Sequence, residues 1–348
     1  MISEPIIECP VPLPPGERVL LAHGEGARLT RQLIHEVLVN AFSNDYLRPL
    51  ADGAVLPSID GSVVVSTDSY VVSPLFFPGG DIGSLAVFGT VNDLSVCGAV
   101  PLYMTLGLIL EEGLPLATLR QVVASIATAA GACGVQIVTG DTKVVPRGAA
   151  DGLFVNTTGI GQLCKGIDLG IHRVKPGDSV LVSGTIADHG IAILSAREGL
   201  EMDAARSDSA SIFGLVQSLF DAGIDLHFLR DPTRGGISSV MHEIAEMASV
   251  SILLQEAALP VTDAVRGACE ILGLDPLYIA NEGKLVAIVG PEDSDRALRC
   301  MREHPLGTRA TIIGEILPAS SAPVVIRNAF GSLRVLDEPS GALLPRIC

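Results

Sequence analysis

The chain has 348 residues, a length that suits two domains of ordinary size better than one core. Its formal net charge of −16 excludes phosphate-backbone recognition, which needs clustered Lys and Arg, and argues equally against binding to anionic membrane surfaces. With 48% hydrophobic and 18% charged residues, no Trp, and a filling of Ala, Val, Leu, Ile and Gly, the composition suits closely packed α/β layers and excludes global disorder.

The first fifteen residues hold five prolines and an acidic start, which reads as an extended arm over 1–17 and not as a signal peptide. A helix-period pattern follows from Thr30 to Phe42. Ser62–Thr67 (SVVVST) reads as a buried strand by its β-branched run. Residues 82–97 read as a helix, Pro101–Leu110 as a strand, and Pro115–Cys133 as an Ala-rich helix opening on proline. Strands at Val135–Thr139 and Leu153–Gln162 complete the first half.

HRVKPGD, at 172–178, is a turn signal before a strand at Ser179–Ser183. Helices are expected near 187–198, 209–222, 235–248, 262–272 and 292–303. Strands are expected near 225–229, 250–254, 284–289, 309–317, 322–327 and 332–336. These alternations divide the chain into domains at 18–165 and 166–336, followed by an unpacked tail at 337–348. Eleven residue steps from Asp337 to Cys348 could span roughly 36 Å when extended. Pro339 and Pro345 would limit the tail's freedom, and Gly341 would leave a hinge.

The seven cysteines are widely spaced, with no CxxC pair, so neither a disulfide framework nor a zinc site is expected. The most apolar stretches are too short or too interrupted to span a bilayer, and the expected compartment is the cytoplasm. Cys97, Cys133, Cys269 and Cys300 fall on apolar helix faces and read as core filler. Cys348 differs, because it is the last residue of the sequence and has nothing to gain there from packing.

Four segments place a carboxylate beside glycine or after an apolar run: STDS (Asp68), FFPGGDIG (Asp81), VNDLS (Asp93) and TGDTK (Asp141). Asp68 and Asp141 would stand at carboxyl ends of strands, where ligand sites in α/β sheets collect. Together the four could hold Mg²⁺ shared with substrate phosphates; each taken singly could equally cap a turn or helix. No GxxxxGK[ST] loop is present, so an ATP site would be of another kind. HGEGAR, at 23–28, could wrap phosphates with backbone N–H groups or could be a plain loop. Lys143 is a candidate for phosphate contact or proton transfer. In RDPTRGG, at 230–236, Arg234 could grip phosphate at a helix start, or the segment could be a cap with Pro232 at the first helical position. Glu282, in YIANEGKL, could be a base of raised pKa.

Taken in order, HGEGAR, STDS, FFPGGDIG, VNDLSVCGA, TGDTKVV, RDPTRGG, NEGKL and a closing PRIC resemble the HypE hydrogenase-maturation family. That family belongs to the PurM-like, or aminoimidazole ribonucleotide synthetase, superfamily. The resemblance spans residues 18–348 and implies an α/β (α+β) fold of two PurM-like domains, with the N-terminal pair of a homodimer joined through their sheets. It implies ATP and Mg²⁺ as cofactors, HypF as donor of a carbamoyl group to Cys348, and the HypC–HypD complex as acceptor of the cyanide formed after ATP-dependent dehydration. On the same ground Asp68, Asp81, Asp93, Asp141 and Asp231 would bind metal and phosphate, and Lys143 and Glu282 would act on the carbamoyl group of Cys348. His23, Gly24, Gly26, Asn92, Thr142, Thr233 and Arg234, with Asp68, Asp81 and Asp141, would hold ATP. The family's loop usually reads HGxGG, and Ala27 stands at its last position here. If that position needs a positive φ, Ala costs about 1 kcal/mol there. Two other readings are a PurM-like ATP-dependent synthetase acting on a free small molecule, and an ATP-gated maturation scaffold.

Overall fold

The computed structural model describes residues 17–199, 206–338, 341, 344 and 346–348; the proline-rich arm up to residue 16, Pro339 and Pro345 lie outside the described residues. The expected first helix is a rod made of α1 (Arg28–Leu33), a π-helical stretch (Ile34–Val39) and α2 (Asn40–Phe42). After it come β1 (Val63–Tyr70), the short pair β2 (Phe76–Phe77) and β3 (Gly80–Asp81), α3 (Ile82–Val96), β4 (Ala99–Glu111), α4 (Leu116–Ala132), β5 (Gln136–Val145) and β6 (Leu153–Leu163). The four long strands form a sheet in the order β1-β6-β4-β5, parallel only between β4 and β5, where α4 makes the crossover.

Period-two alternation decides the faces of this sheet. Met104, Leu106, Leu108 and Leu110 of β4 are buried in one core with α3 and α4. On other strand positions Val63, Val65 and Ile109 remain 49%, 61% and 43% exposed, so that face lies open. The strands run past the apolar segments legible in the sequence. Asp68 therefore lies inside β1, and Asp141 and Lys143 lie inside β5, rather than just beyond strand ends. A ladder is built from backbone groups, and on a half-exposed strand polar side chains do not stop it.

The second half supplies β7 (Ser179–Val182), α5 (Asp188–Glu198), α6 (Phe213–Asp221), β8 (Leu226–Arg230), α7 (Gly236–Ala248), β9 (Val250–Gln255), α8 (Asp263–Leu272), β10 (Val286–Val289), α9 (Ser294–Glu303), β11 (Thr311–Pro318), β12 (Val324–Arg327) and β13 (Leu333–Val335). Its seven-stranded sheet runs β13-β12-β9-β11-β7-β10-β8 and is parallel only between β9 and β12. Helices cover both faces, which explains the unbroken apolar strands. Val180, Val182, Val286 and Ile288 pack with Ile237 and Met241 of α7. Leu181, Ala287 and Val289 pack with Leu215 and Leu219 of α6 and Met301 of α9.

The two sheets meet across α3, which is buried along most of its length. Asn92 locks this junction. Its amide donates to the carbonyls of Ala210 (3.0 Å) and Glu282 (2.8 Å) and accepts from the Ile212 N–H (2.9 Å). The expectation that Asn92 contacts a nucleotide is corrected accordingly: a fully buried amide has to be satisfied, and this one is spent on backbone.

Two further expectations change. The tail is not unpacked at its end, because Ile347 is only 4% exposed and packs, with Leu344 and Cys348, on the N-terminal core. Cys97 is exposed just after α3 instead of filling the core, Cys133 and Cys300 are half-buried, and Cys269 is buried. Among the described residues no helix is long and apolar enough to cross a membrane.

Candidate active site

The seat of the tail is made by the segment after β1 and by α5. Val71 N–H donates to a backbone carboxylate oxygen of Cys348 at 3.2 Å, and Ser73 N–H to the Arg346 carbonyl at 3.4 Å. Arg197 of α5 donates to the Arg346 carbonyl (2.6 Å) and the Ser73 carbonyl (3.0 Å). His189, one helix end away, meets the Ile347 carbonyl at 3.0 Å. The Arg346 guanidinium pairs with Asp151, donates to the Val71 carbonyl and lies 6.0 Å from the centre of the Phe154 ring. Cys348 thereby reaches a cavity of about 40 Å³ walled by Asp68, Tyr70, Gly89, Asp93, Asp231, Thr233, Arg234 and Glu282. A water needs roughly 10–15 Å³ by this measure, so the space suits a group of a few heavy atoms. Gly89 is required here, since a Cβ would come within 2.2 Å of the Tyr70 hydroxyl.

The cavity is electrostatically crowded. Glu282 is 2% exposed, and burial, then the charges of Asp208, Asp231, Asp68 and Asp93, push its carboxyl well above the carboxylate range. Its Oε1 has no hydrogen-bond partner among the described residues. Burial, then Asp231 and Asp68, raise Asp93 to about 7, although the Ser66 hydroxyl donates to it. Burial raises Asp231 to about 6, against the pull of Arg230. The thiol of Cys348 is pushed up to about 12, first by burial and then by Glu282, while Arg234 acts in the opposite sense. A docked sulfur is therefore a protonated thiol at neutral pH, protected from reaction as a nucleophile.

Backbone and second-line groups hold this arrangement. Glu282 N–H donates to Asp208 Oδ1 (3.1 Å), and Asp208 pairs with Lys284 (3.1 Å), a lysine that is buried and not on the surface. The neighbouring Asn281 side chain accepts from Ala187 N–H and donates to the carbonyl of Pro232, tying α5 to the RDPTRGG loop. Pro232 is not the first residue of α7. Gly235 caps that helix with φ +74°, and a Cβ on Gly236 would strike the Ile279 carbonyl at 2.5 Å.

A second cavity, about 580 Å³, opens between the α1–α2 rod and the edge strand β5. That volume falls in the roughly 300–1,000 Å³ range of small-molecule sites. Gly24, Gly26, Asp141, Thr142 and Lys143 stand on its rim, and Leu38, Phe42 and Leu47 are among its apolar walls. Lys143 and Asp141 are 3.7 Å apart and exposed. Gly26 takes the left-handed turn (φ +72°), whereas Ala27 is extended (φ −91°, ψ −159°), so the expected strain at Ala27 does not arise. His23 is buried, with Nδ1 accepting from Leu20 N–H at 2.9 Å.

The structure thus brings together Cys348, Glu282, Asp68, Asp93, Asp231, Thr233 and Arg234, and separately Gly24, Gly26, Asp141, Thr142 and Lys143. The expected convergence of all the aspartates is corrected at two of them. Asp81 caps α3, accepting from Gly83 (2.7 Å) and Ser84 N–H (3.2 Å) and from the Ser125 hydroxyl (2.6 Å). Asp141 belongs to the larger cavity. Among the described residues no group of His, Cys, Asp or Glu stands gathered as a ready-made metal cage. His189, Arg197, Asp208 and Lys284 went unread in the sequence. Lys284 sits in the NEGKL motif itself, and Gly190 after His189 marks a close approach, with a Cβ there 2.3 Å from Ile279.

The two-domain fold is that of an AIR synthase-related protein. The family models for the N-terminal and C-terminal domains of AIR synthase related protein match residues 50–163 and 175–326, and the chain belongs to that family. Within it, the chain is 51% identical over 333 residues to the carbamoyl dehydratase HypE of Cupriavidus necator, covering 95% of each. It is likewise similar to a solved HypE in complex with ATP (47% identity, TM-score 0.90, 94% of this chain and 99% of the other). A HypE–HypF complex also matches, with 48% identity, TM-score 0.77, and 88% and 99% coverage. The chain's place in the family is therefore with the HypE carbamoyl dehydratases.

Proposed function

We propose that the chain dehydrates a carbamoyl group carried on Cys348 to a thiocyanate, with ATP as phosphoryl donor. The observation that carries this reading is the seating of Cys348 in a small buried cavity beside Glu282 and Arg234. An amide oxygen is a poor leaving group, and phosphorylation makes it a good one. The carbamoyl oxygen attacks the γ-phosphorus, ADP leaves, and one N–H proton passes to a base. The C–O bond then breaks as phosphate departs, the second N–H proton is lost, and the C≡N bond forms.

Glu282 is assigned the proton-accepting role, acting as the ionised carboxylate, whose affinity for a proton burial raises. Arg234 and Thr233 are placed to hold the departing phosphate. Asp231 and Asp68 raise the affinity of Asp93 for a proton, and Asp68 raises that of Asp231, the property of a set that a divalent cation would satisfy. Mg²⁺ held by these three would supply neutralisation of phosphoryl charge. The larger cavity, with Gly24, Gly26, Thr142, Asp141 and Lys143, is assigned to the nucleotide, Lys143 serving its phosphates. Reading the chain as a synthetase for a free small molecule, or as an ATP-gated scaffold, is not favoured at this level of similarity to HypE proteins.

In this reading HypF loads the carbamoyl group, and the HypC–HypD complex takes the cyanide toward the iron of [NiFe]-hydrogenase, all in the cytoplasm. The protein works as a homodimer joined through the open face of the N-terminal sheet, where Val63, Val65 and Ile109 are exposed. Mass measurement of the terminal peptide tests the central claim: after carbamoylation, ATP should remove one water from it. A carbamoylated peptide whose mass never changes with ATP would refute it.

A further inference from the structure

His189, the second residue of α5, is fully buried, and its ring stands edge-on to Phe77 with centroids 5.7 Å apart. A carbonyl oxygen only accepts, so the 3.0 Å contact to Ile347 requires the proton on Nε2. Nδ1 is then the acceptor, and the Ser207 hydroxyl, 2.8 Å away, donates to it. Ser207 Oγ accepts in turn from Ser209 N–H at 3.1 Å. Every donor in this chain of three bonds has an acceptor, and only one ring tautomer satisfies it. Burial lowers the imidazole's pKa, in keeping with a neutral ring. Nε2 also lies 4.0 Å from Glu282 Oε1, the carboxyl oxygen that has no hydrogen-bond partner among the described residues.

Resting on the reading above, we propose that His189 is the positioning residue of the tail: its Nε2–H holds the Ile347 carbonyl, which aims the next residue's sulfur into the cavity, and turns to Glu282 when the tail leaves. One N–H thus serves two acceptors alternately. With the tail in place, Glu282 Oε1 has no hydrogen-bond partner among the described residues and faces the sulfur-borne group. With the tail withdrawn, the same N–H fills the gap and keeps the carboxyl from closing on other groups.

Alkylation of Cys348 by iodoacetamide in the full chain, without carbamoylation or ATP, reads the fraction of withdrawn tail directly. Exposed Cys97 gives an internal standard, and buried Cys269 reports any unfolding. His189→Leu should speed Cys348 alkylation roughly tenfold, the equilibrium factor of one hydrogen bond, with Cys97 unchanged. His189→Gln, which restores an N–H donor, should return the rate toward wild type. Ser207→Ala should speed it by a smaller factor, because the ring is no longer pinned. Rates equal to wild type in both His189→Leu and Ser207→Ala overturn the proposal; if His189→Leu exposes Cys269, Ser207→Ala alone decides. Failure of the tail to lose water would refute the dehydratase reading while leaving this assay intact, so the two can fail separately.

Discussion

Replacing Glu282 by Gln removes a carboxyl whose burial is hard to accommodate, since four acidic neighbours act on it and one of its oxygens has no hydrogen-bond partner among the described residues. The thermal midpoint should therefore hold or rise, while single-turnover dehydration of the carbamoylated tail falls about 10²–10⁴-fold, the usual contribution of a positioned base. A variant that dehydrates at the wild-type rate would take Glu282 out of the chemistry. At this scale the sequence was informative where chemistry and local context coincide. A Glu before Gly in an apolar run, a helix-opening Arg234 and a closing Cys could each be read. His189 and Lys284 could not, because a lone His or Lys gains meaning only from Ile347, Ser207 and Asp208, partners that folding brings from elsewhere in the chain.

At the scale of elements, the loop before α1 gives a direct test of backbone conformation. Gly26 sits at φ +72° with open space around it, so Gly26→Ala should cost about 1 kcal/mol in urea unfolding from backbone strain alone. Ala27 is extended, so Ala27→Gly should give no gain and lose roughly 0.4–1 kcal/mol through the freer unfolded chain. Gain of stability in Ala27→Gly would show that the loop prefers another conformation. The order of the longer helices and strands was legible, because apolar periodicity fixes them, whereas the two-residue β2 and β3 are too short to carry a period. Strand ends were not: β1 and β5 continue through Asp68 and Asp141, where the ladder persists although the apolar pattern has stopped. Asp81 followed the capping alternative that its place before α3 offered.

Over the whole molecule, the crowded acidic cavity sets a pH dependence. Asp93 is raised from 3.8 to about 7, so the folded protein keeps a proton that the unfolded chain has shed. Stability from this group is present at low pH and lost as pH rises through about 7. Without divalent cations, the thermal midpoint should fall as pH goes from about 6.5 to about 8, a window above the ordinary His pKa. Asp93→Asn should flatten that slope; an unchanged slope would assign it to other groups. The open sheet face gives a second test, since Val65→Lys should convert a dimer to a monomer in size-exclusion chromatography with the fold retained. An assembly unaffected by that charge would place the contact elsewhere.

The carbonyls at 346 and 347 and the backbone carboxylate at 348 each meet a donor fixed in the folded part, from Arg197, His189 and Val71. The sulfur's position is thus measured from α5 and the end of β1, not from the point where the tail departs at Asp337. A residue inserted soon after Asp337 would leave that measure unchanged. One inserted between Arg346 and Ile347 would carry the sulfur about one strand rise, roughly 3.3 Å, beyond Glu282 and Arg234. The tail is read like a ruler laid against its zero mark: slack is tolerated upstream, and none in the last three divisions.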